Sequence, residues 1–456
     1  MKKITMRAAI CLCLAMLLIA GTLLYVFRFF RDGGDWVSYP ANSHMYSSGL
    51  PSSGAILDQK GVVLASFREG RWQYHDSSAI RLATLHAVGD KEGKIGVGAL
   101  NAFADKLTGY NIISGARPVF GANRQLYLTL DSEVCRVAYQ AMNGLKGTIG
   151  VYNYQSGEIL CMVSAPSYDP TDPPLIEDGD ERYEGAYINR LLSATFIPGS
   201  TFKLVTAAAA LETLPDIETR SFNCSGSTVI GNMTITCPQA HGELDFGQAL
   251  TVSCNCVFGA LAVELGADTM TSYVDSTGLT DSYSINGLHT AASSFDFNTG
   301  EVGELAWSGI GQGKDLVNPC SLMVYMGAIA NGGRAATPQL ISSLTTKDGL
   351  KLSIYLPHRT SRLLQADTAE TLTRLMRDNV INNYGEWNFP GLTVAAKSGT
   401  AQSDTSEANN AWFAGFLADE AHPLAFVVLL EGGGSGSGAA ASAANQVLQA
   451  AISAGY

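Results

Sequence analysis

The most extended hydrophobic segment of the chain covers residues 8–27, in which no charged side chain occurs. A run of about 20 apolar residues is long enough to cross a bilayer as a helix. Lys2, Lys3 and Arg7 precede this run, and basic residues are enriched on the cytoplasmic side of membrane segments. The pattern predicts a cytoplasmic tail at residues 1–7, a membrane anchor, and an extracytoplasmic location for the rest of the chain.

A cleaved signal peptide is the alternative to an anchor. The apolar run is longer than the core of a signal peptide usually is, and no clear Ala-x-Ala cleavage site follows it. Arg28 and Arg31 on the far side weaken the charge asymmetry that sets the orientation. We expect an uncleaved, single-pass anchor in a cell membrane.

Shorter patterns follow the apolar segment. Residues 54–66 contain two apolar runs around a turn at residues 58–61, which predicts a β-hairpin. Residues 97–107 predict a helix. Residues 131–144 have apolar positions at helical spacing and Asp131 in the N-cap position, so they predict an amphipathic helix.

The later part of the chain predicts a single antiparallel sheet. Strands are predicted at residues 148–152, 158–163, 392–402, 411–417 and 424–430. Mainly helical sequence separates the first two strands from the last three, and an alanine-rich helix follows them. We therefore expect an α/β (α+β) fold, in which strands from both ends form one antiparallel sheet with helices on both faces.

Composition narrows the class of protein. A chain of 456 residues has room for two or three domains. It carries 29 basic and 41 acidic side chains, a net charge of −12 at pH 7. Because a nucleic acid requires a basic surface, we expect no nucleic acid partner.

Several of the nine cysteines suggest local chemistry. Cys224 and Cys237 flank a short β-like stretch and could form a disulfide in an oxidising compartment. Cys254, Cys256 and His241 carry atoms that bind metals, but their spacing matches no usual zinc pattern. We expect no metal site.

The first candidate for catalysis is a serine followed by a lysine. Pro198 and Gly199 interrupt the chain before Ser200, where a run of strong helix formers begins. Ser200 and Lys203 are three residues apart and share one face of a helix. A lysine with a lowered pKa can take the proton of a serine and so make it a nucleophile. The alternative is a solvated pair at an ordinary helix start.

The second candidate is a polar stretch inside a predicted strand. Lys397, Ser398, Gly399 and Thr400 lie within the strand at residues 392–402. Glycine allows another backbone to approach closely, as a substrate peptide along the strand would. Lys397 supplies positive charge, and Ser398 and Thr400 supply hydroxyl donors for a carboxylate. An ordinary surface turn is the alternative.

The third candidate is a Ser-x-Asn sequence, which occurs at residues 221–223, 253–255 and 284–286. Only the second copy lies between two predicted helices, at residues 244–252 and 257–265. A tight connection there would project Ser253 and Asn255 into a cleft. A helix cap is the alternative for these two residues.

In this order, Ser-x-x-Lys, Ser-x-Asn and Lys-Ser-Gly form the signature of penicillin-binding proteins and related β-lactamases. The chain resembles a class B penicillin-binding protein, a monofunctional peptidoglycan D,D-transpeptidase. Similar segments also occur at residues 54–65, 157–170, 189–203 and 311–333. Ser53 replaces an arginine that is usual in the family, and a cysteine occupies the middle of the second motif.

The resemblance implies a fold and a domain organisation. It implies a penicillin-binding transpeptidase fold, like that of the serine β-lactamases, at residues 131–456. It also implies a smaller, β-rich pedestal domain at residues 33–130. A membrane-embedded glycan polymerase is the implied partner, and no cofactor or metal is implied.

The resemblance also implies roles for the candidate residues. Ser200 would attack a stem peptide ending in D-Ala-D-Ala, or a β-lactam, with Lys203 as the base. Ser253 would pass a proton towards the leaving amine, and Asn255 would hold the substrate amide. The remaining positions would bind the terminal carboxylate or supply the oxyanion hole with Ser200: Lys397, Ser398, Gly399 and Thr400.

Other functions remain open at this point. A serine β-lactamase shares the three motifs, but no Glu-x-x-Leu-Asn follows Ser253. A D,D-carboxypeptidase would use the same acyl-enzyme. A non-catalytic scaffold of the division or elongation machinery is a further alternative. A sensor would need a cytoplasmic output, for which seven residues leave no room.

Overall fold

The computed structural model describes residues 2–37, 46–47, 50–109, 123–177, 179–298, 300–401 and 409–456. The first strands are β1 (Tyr46–Ser47), β2 (Leu50–Pro51), β3 (Ala55–Leu57), β4 (Val63–Arg68), β5 (Arg71–Tyr74) and β6 (Gln125–Leu128). The middle strands are β7 (Gly147–Asn153), β8 (Ile159–Ala165), β9 (Ser221–Cys224), β10 (Ser227–Ile230), β11 (Met233–Thr236) and β12 (Gly242–Asp245). The last strands are β13 (Ser284–Ile285), β14 (Leu288–His289), β15 (Ile341–Thr345), β16 (Lys351–Ile354), β17 (Val394–Ala401), β18 (Asn410–Leu417) and β19 (Leu424–Leu430).

The helices are distributed along the whole chain. The first are α1 (Lys2–Val37), α2 (Ser78–Val88), α3 (Ala99–Ala102), α4 (Ala104–Thr108) and α5 (Ser132–Ala141). The next are α6 (Arg190–Ser193), α7 (Lys203–Thr213), α8 (Phe246–Thr251), α9 (Asn255–Leu265) and α10 (Ala267–Ser276). The last are α11 (Val302–Ser308), α12 (Pro319–Ala330), α13 (Ala366–Asn379) and α14 (Ala441–Ser453).

A five-stranded antiparallel sheet forms the centre of the larger part of the molecule. Its strand order is β17-β18-β19-β7-β8, so strands from the two ends of this region join one sheet as predicted, the three later strands beside the two earlier ones. Strands β8, β18 and β19 are buried along their full length. Helices α5 and α14 pack together beside β8 and β19, and α12 packs on β7, β18 and β19. The predicted fold class, a sheet covered by helices, is confirmed.

A six-stranded sheet with the order β16-β15-β6-β3-β4-β5 forms the smaller part. It includes the predicted hairpin, as β3 and β4 pair antiparallel. Strands β15 and β16 were not predicted, because β15 is short and its partner β6 lies about 200 residues earlier. One sheet thus joins strands from both sides of the boundary predicted at residues 130 and 131. That boundary stays a prediction, and parts of residues 33–130 lie outside the described residues.

Three local expectations differ from the structure. The helix predicted at residues 97–107 is two short helices, α3 and α4, which meet at Phe103 with a φ of −120°. Helix α2 was not predicted. The helix expected to begin at Ser200 begins at Lys203, after a 3₁₀ turn at Gly199–Thr201. The Thr201 hydroxyl donates a hydrogen bond to the backbone oxygen of Pro198 and so stabilises this tighter turn.

Helix α1 contains the predicted anchor. Within it, Thr5–Asp32 is the one segment of the described residues that is long and apolar enough to cross a membrane. This segment extends beyond the predicted span at residues 8–27 on both sides.

Candidate active site

The turn that carries Ser200 packs against strand β17 at two glycines. Gly199 has a φ of 56°, and a Cβ atom there would lie 2.6 Å from the backbone oxygen of Thr400. A Cβ atom on Gly399 would lie 2.9 Å from the backbone oxygen of Pro198. Glycine is therefore required on both sides of this contact. The sequence predicts that a substrate peptide approaches closely at Gly399, whereas in the structure the chain's own turn at residues 198–199 does so.

Lys203, in the first turn of α7, has four oxygen neighbours. Its Nζ atom donates to the backbone oxygen of Ser253 at 2.6 Å and to Oδ1 of Asn255 at 2.6 Å. The hydroxyl oxygens of Ser200 and Ser253 each lie 3.1 Å from Nζ. A neutral amine has two N–H bonds and one lone pair, and a carbonyl oxygen can only accept. The two carbonyls thus take both N–H bonds, and the lone pair faces the hydroxyls.

The surroundings of Lys203 favour the neutral amine. The side chain is fully buried, and burial lowers its pKa to about 7. The nearby thiols of Cys237, Cys254 and Cys256 oppose this effect, and no carboxylate among the described residues contributes. Because burial disfavours the charged form and outweighs the effect of these thiols, the neutral amine of Lys203 is much more favoured than in an exposed lysine.

Ser253 lies in the short connection between α8 and α9. Its φ of 56° is uncommon for a residue other than glycine and is typical of a functional position. Helix α8 begins with a capping box at Asp245, and α9 begins at Asn255. The amide nitrogen of Asn255 donates to the backbone oxygen of Thr236 at 2.7 Å. This hydrogen bond orients the Asn255 amide so that its oxygen faces Lys203.

Lys397 approaches Ser253 from the opposite side. Its Nζ atom donates to Oγ of Ser253 at 3.0 Å and to the backbone oxygen of Ser398 at 2.9 Å. Lys397 is fully buried, and its pKa is lowered first by burial and then by the charge of Lys203. Two lysines that cannot both easily be charged therefore meet at one hydroxyl.

These residues form two sides of a cleft. We call residues 394–401 of β17 the sheet wall, and residues 200–203 with residues 253–255 the helix wall. The sheet wall contains Lys397, Ser398, Gly399 and Thr400, and the helix wall contains Ser200, Lys203, Ser253 and Asn255. The lysines are buried, whereas Ser200, Ser253, Asn255 and Ser398 are half-buried and Thr400 is exposed. The structure thus brings all eight sequence-predicted site residues together.

Hydrogen bonds from Gln312 and Tyr384, which were not predicted as site residues, reach Thr400 and Ser398 of the sheet wall. The side-chain nitrogen of Gln312 donates to the backbone oxygen of Thr400 at 3.1 Å. The hydroxyl of Tyr384 lies 2.9 Å from Oγ of Ser398. Gln312 belongs to the segment at residues 311–333 that resembles the family, which is a usable signal. Nothing in the sequence marks Tyr384.

A cluster of sulfur atoms lies behind Asn255. Cys224 ends β9, Cys237 follows β11, His241 precedes β12 and Cys254 is the N-cap residue of α9. One ligand atom from each of these four residues lies within 4.8 Å of the other three. The spacing of these residues in the sequence predicts no metal site, but two short antiparallel strand pairs and the start of α9 bring the residues together. The sequence also groups Cys256 with Cys254 and His241, whereas Cys224 and Cys237 complete this set.

The chemistry of the cluster suits a soft divalent cation. Three cysteines and one histidine are a ligand set of structural zinc sites. The Nδ1 atom of His241 is buried and has no hydrogen-bond partner among the described residues. The sulfur atoms of Cys224 and Cys237 are 3.8 Å apart, so the disulfide that the sequence leaves open is not formed in this structure.

The fold and the cleft together define a class of protein. A serine paired with a buried lysine, at the outer strand of a sheet covered by helices, is the arrangement of serine acyl-transferases that react with penicillin. The family model of the penicillin-binding protein transpeptidase domain matches residues 147–449. The chain therefore belongs to this family, and the predicted resemblance is confirmed.

Individual relatives agree with this assignment. Peptidoglycan D,D-transpeptidase PbpA of Mycolicibacterium smegmatis is 30% identical over 335 residues, which are 67% of this chain and 67% of that protein. The D,D-transpeptidase domain of a peptidoglycan glycosyltransferase from Eggerthella lenta is 28% identical, with a TM-score of 0.72 over 88% of this chain and 98% of that one. An imipenem acyl-enzyme of penicillin-binding protein A from M. tuberculosis is 25% identical, with a TM-score of 0.73 over 88% and 98% of the two chains.

Proposed function

We propose that this protein is a class B peptidoglycan D,D-transpeptidase, which crosslinks stem peptides through an acyl-enzyme on Ser200. One observation carries the proposal. The hydroxyl of Ser200 lies 3.1 Å from the nitrogen of Lys203, whose two N–H bonds are taken by carbonyl oxygens and whose pKa is lowered to about 7. A hydroxyl next to a neutral amine is an activated nucleophile.

Acylation proceeds by transfer of one proton and formation of one covalent bond. Oγ of Ser200 attacks the carbonyl carbon of the penultimate D-Ala while Lys203 takes the hydroxyl proton. The proton then reaches the leaving amine through Ser253, whose Oγ atom lies 3.1 Å from Lys203 and 3.0 Å from Lys397. The C–N bond breaks, and the terminal D-Ala leaves with this proton.

The sheet wall binds the substrate. Lys397 supplies positive charge for the terminal carboxylate, and Ser398 and Thr400 supply hydroxyl donors. The backbone N–H groups of Ser200 and Thr400 form the oxyanion hole, which stabilises the negative charge of the tetrahedral intermediate. One N–H of the Asn255 side chain donates to a backbone oxygen of β11. The second N–H is available to donate to the substrate amide.

Transpeptidation ends with an amine as the acceptor. The amine of a neighbouring stem peptide attacks the carbonyl of the acyl-enzyme, loses a proton, and releases Ser200. A β-lactam carries a carboxylate and a reactive amide in a similar arrangement, so it acylates Ser200 in place of the substrate.

The location and partners follow from the same assignment. Helix α1 anchors the protein in the cell membrane as a single span, and the catalytic domain lies outside the cytoplasm. Residues 33–130 form a pedestal domain, and residues 131–456 form the transpeptidase domain. A membrane-embedded glycan polymerase docks on the anchor and pedestal and supplies the strands that are crosslinked.

Covalent labelling of the full-length chain in detergent tests this function. A fluorescent penicillin is added to the wild type, to Ser200→Ala, and to Ser276→Ala as a control at an exposed serine at the end of α10. We expect stable labelling of the wild type and the control, and none of Ser200→Ala.

The decay of the label separates the proposed function from its alternatives. Slow decay supports a transpeptidase. Rapid decay with hydrolysis of penicillin would instead indicate a β-lactamase, and release of D-Ala from a stem peptide without an acceptor would indicate a carboxypeptidase. A folded wild type that takes no label would contradict catalysis by Ser200 and favour a scaffold.

A further inference from the structure

The outer edge of strand β17 is covered just before the lysine of the sheet wall. Arg377 donates to the backbone oxygen of Val394 at 2.5 Å, and Asn379 donates to that of Ala396 at 3.0 Å. An edge strand otherwise leaves such groups free to pair with another chain. Both side chains belong to α13, so this helix covers the edge as far as Ala396.

The next group along the same edge is bound by a tyrosine. The backbone N–H of Ser398 donates to the hydroxyl oxygen of Tyr384 at 2.7 Å, and the amide of Asn379 donates to the same atom at 2.8 Å. A phenol oxygen accepts through two lone pairs and donates one proton. Both lone pairs of Tyr384 are therefore used, and its proton points to Oγ of Ser398 at 2.9 Å.

This arrangement fixes the direction of the Ser398 proton. A hydroxyl that accepts a hydrogen bond from Tyr384 keeps its own proton for another acceptor. Burial raises the pKa of Tyr384, so the phenol remains a donor over the whole physiological pH range. Ser398 is half-buried on the sheet wall, and its O–H bond is left to point into the cleft.

A π-helical turn makes the contact between Asn379 and Tyr384 possible. Residues five apart lie on different sides of an α-helix, because the helix has 3.6 residues per turn. Here α13 continues into a π-helix at Val380–Tyr384, closed by a hydrogen bond from the N–H of Gly385 to the oxygen of Val380 at 2.8 Å. The wider turn brings positions 379 and 384 to one face, and such turns are frequent at functional sites.

We propose that Tyr384 is a positioning residue for substrate binding: its hydroxyl orients Ser398 so that the Ser398 O–H donates to the carboxylate of the stem peptide or β-lactam. This inference rests on the proposed function, in which the sheet wall binds that carboxylate. It assigns Tyr384 no contact with the substrate and no part in proton transfer.

The test separates binding from acylation in Tyr384→Phe, which removes one oxygen atom. Benzylpenicillin is mixed with the full-length protein at increasing concentrations, and the dissociation constant and the first-order acylation rate are measured separately. We expect the dissociation constant to rise about tenfold, the size of one hydrogen bond to a charged group, and the acylation rate to change less than twofold.

The methyl ester of benzylpenicillin is the matched probe, because it lacks the carboxylate. We expect Tyr384→Phe to acylate with the ester as the wild type does. If Tyr384→Phe weakened the reaction with the acid and with the ester equally, Tyr384 would have a general structural role, and the inference would be overturned. Tyr325→Phe is the control variant, since Tyr325 is fully buried in α12 and its hydroxyl has no partner among the described residues. We expect this variant to leave the dissociation constant and the acylation rate unchanged with both probes.

A double-mutant cycle tests whether the effect acts through Ser398. Ser398→Ala alone is expected to weaken binding of benzylpenicillin, and adding Tyr384→Phe is expected to weaken it no further. Additive losses would contradict the inference. If Tyr384→Phe does not fold, Asn379→Ala provides a second variant, which removes one of the two donors to the Tyr384 hydroxyl, and we expect a smaller loss of binding for the acid and none for the ester.

The outcomes also separate this inference from the proposed function. A wild type that penicillin does not acylate would contradict the function itself. A wild type that is acylated, with a Tyr384→Phe variant that binds benzylpenicillin equally well, would contradict only the role of Tyr384.

Discussion

The two walls of the cleft are built differently although they carry matching groups. In the sheet wall, all eight residues of β17 pair in register with β18, and the neighbouring strands are buried on both faces. In the helix wall, Ser253 lies in a short connection with a φ of 56°, and the residues behind it belong to small hairpins. The sheet wall is thus held by a continuous hydrogen-bonded ladder, and the helix wall by the backbone hydrogen bonds of short turns together with individual side-chain contacts.

The two buried lysines, one in each wall, have different hydrogen-bond partners and therefore different roles. Lys203 gives two N–H bonds to carbonyl oxygens of its own wall, so its lone pair faces Ser200 and Ser253. Lys397 has one backbone carbonyl and the hydroxyl of Ser253, which leaves a third donor if it is protonated. A substrate carboxylate would favour the charged form of Lys397, and that charge would keep Lys203 neutral. The same residue type therefore serves as a base on one side and as a cation on the other.

The largest expected effect comes from removing each lysine in turn. We expect Lys203→Ala to lower the first-order rate of penicillin acylation on the order of 10³-fold, because it removes the general base. We expect Lys397→Ala to raise the dissociation constant of penicillin about 10- to 100-fold, because it removes a charged donor to the carboxylate. Stopped-flow acylation at several penicillin concentrations measures the two quantities separately.

Replacement of each lysine by arginine is the matched control for charge. Lys397→Arg keeps a cation and should retain more binding than Lys397→Ala. Lys203→Arg cannot supply a neutral amine near pH 7 and should be as slow as Lys203→Ala. If Lys203→Ala and Lys397→Ala changed the acylation rate and the dissociation constant in the same proportion, the assignment of one lysine as base and the other as carboxylate-binding cation would be wrong.

The pH dependence of acylation should report the lysine of the helix wall. Only the neutral form of Lys203 accepts a proton, and its pKa is lowered to about 7. Acylation at low penicillin concentration should therefore rise about tenfold per pH unit below that value and become constant above it. Labelling rates from pH 5 to pH 9 measure this profile. A rate that falls as the pH rises through 7 would contradict a neutral Lys203 as the base.

The motifs on both walls could be found from the sequence because their spacing is local. Ser200 and Lys203 are three positions apart, Ser253 and Asn255 two, and the sheet-wall residues are consecutive. The contacts between the motifs could not be found from the sequence in this way. Lys203 is 50 positions from Ser253 along the chain, and Lys397 is 144 positions from it. Only the family resemblance predicted that these residues meet in one site, and it also named the fold.

Residues outside the motifs had no such help. Tyr384 reaches Ser398 through a π-helical turn, which no hydrophobic pattern predicts. The cysteine and histidine cluster was missed because three of its members lie beside four-residue strands, which give weak signals, and the fourth lies at the start of α9. Strand β15 was missed because its apolar residues are few and pairing with β6 decides its state.

The cluster of Cys224, Cys237, His241 and Cys254 allows the helix wall to be destabilised without a change in the sheet wall. We expect protein purified under reducing conditions to hold about one zinc ion per chain, because the ligand set is that of a structural zinc site. Removing this zinc with a chelator should lower the melting temperature and slow acylation severalfold, since Cys254 lies between Ser253 and Asn255. Metal content by plasma mass spectrometry, the melting temperature and the labelling rate are the measurements.

Substitutions in the cluster and in the sheet provide the comparison. Cys224→Ser should prevent zinc binding and reproduce the effect of the chelator. Cys161→Ala changes a buried cysteine of strand β8 in the central sheet and should leave zinc content and the acylation rate unchanged. After oxidation of the zinc-free protein, the predicted Cys224–Cys237 disulfide should remove two free thiols. Zinc-free protein with a normal acylation rate would show that the cluster does not support the helix wall.

The smallest expected effect concerns Asn383, a side chain of the π-helical turn that follows α13. Asn383 donates to the backbone oxygen of Thr251 at 2.8 Å, two residues before Ser253, and to Oδ1 of Asn379 at 3.3 Å. Asn383 is exposed, so water replaces much of what is lost in Asn383→Ala, and we expect a free energy of unfolding lower by about 0.5 to 1 kcal/mol. Acylation should slow less than threefold, with the ester and the acid of penicillin affected alike, because this contact supports the helix wall and not the carboxylate site. Urea unfolding and labelling with both probes measure these effects. A loss confined to the acid would instead show that Asn383 acts through Tyr384 on the sheet wall, and that the two walls are coupled through the π-helical turn.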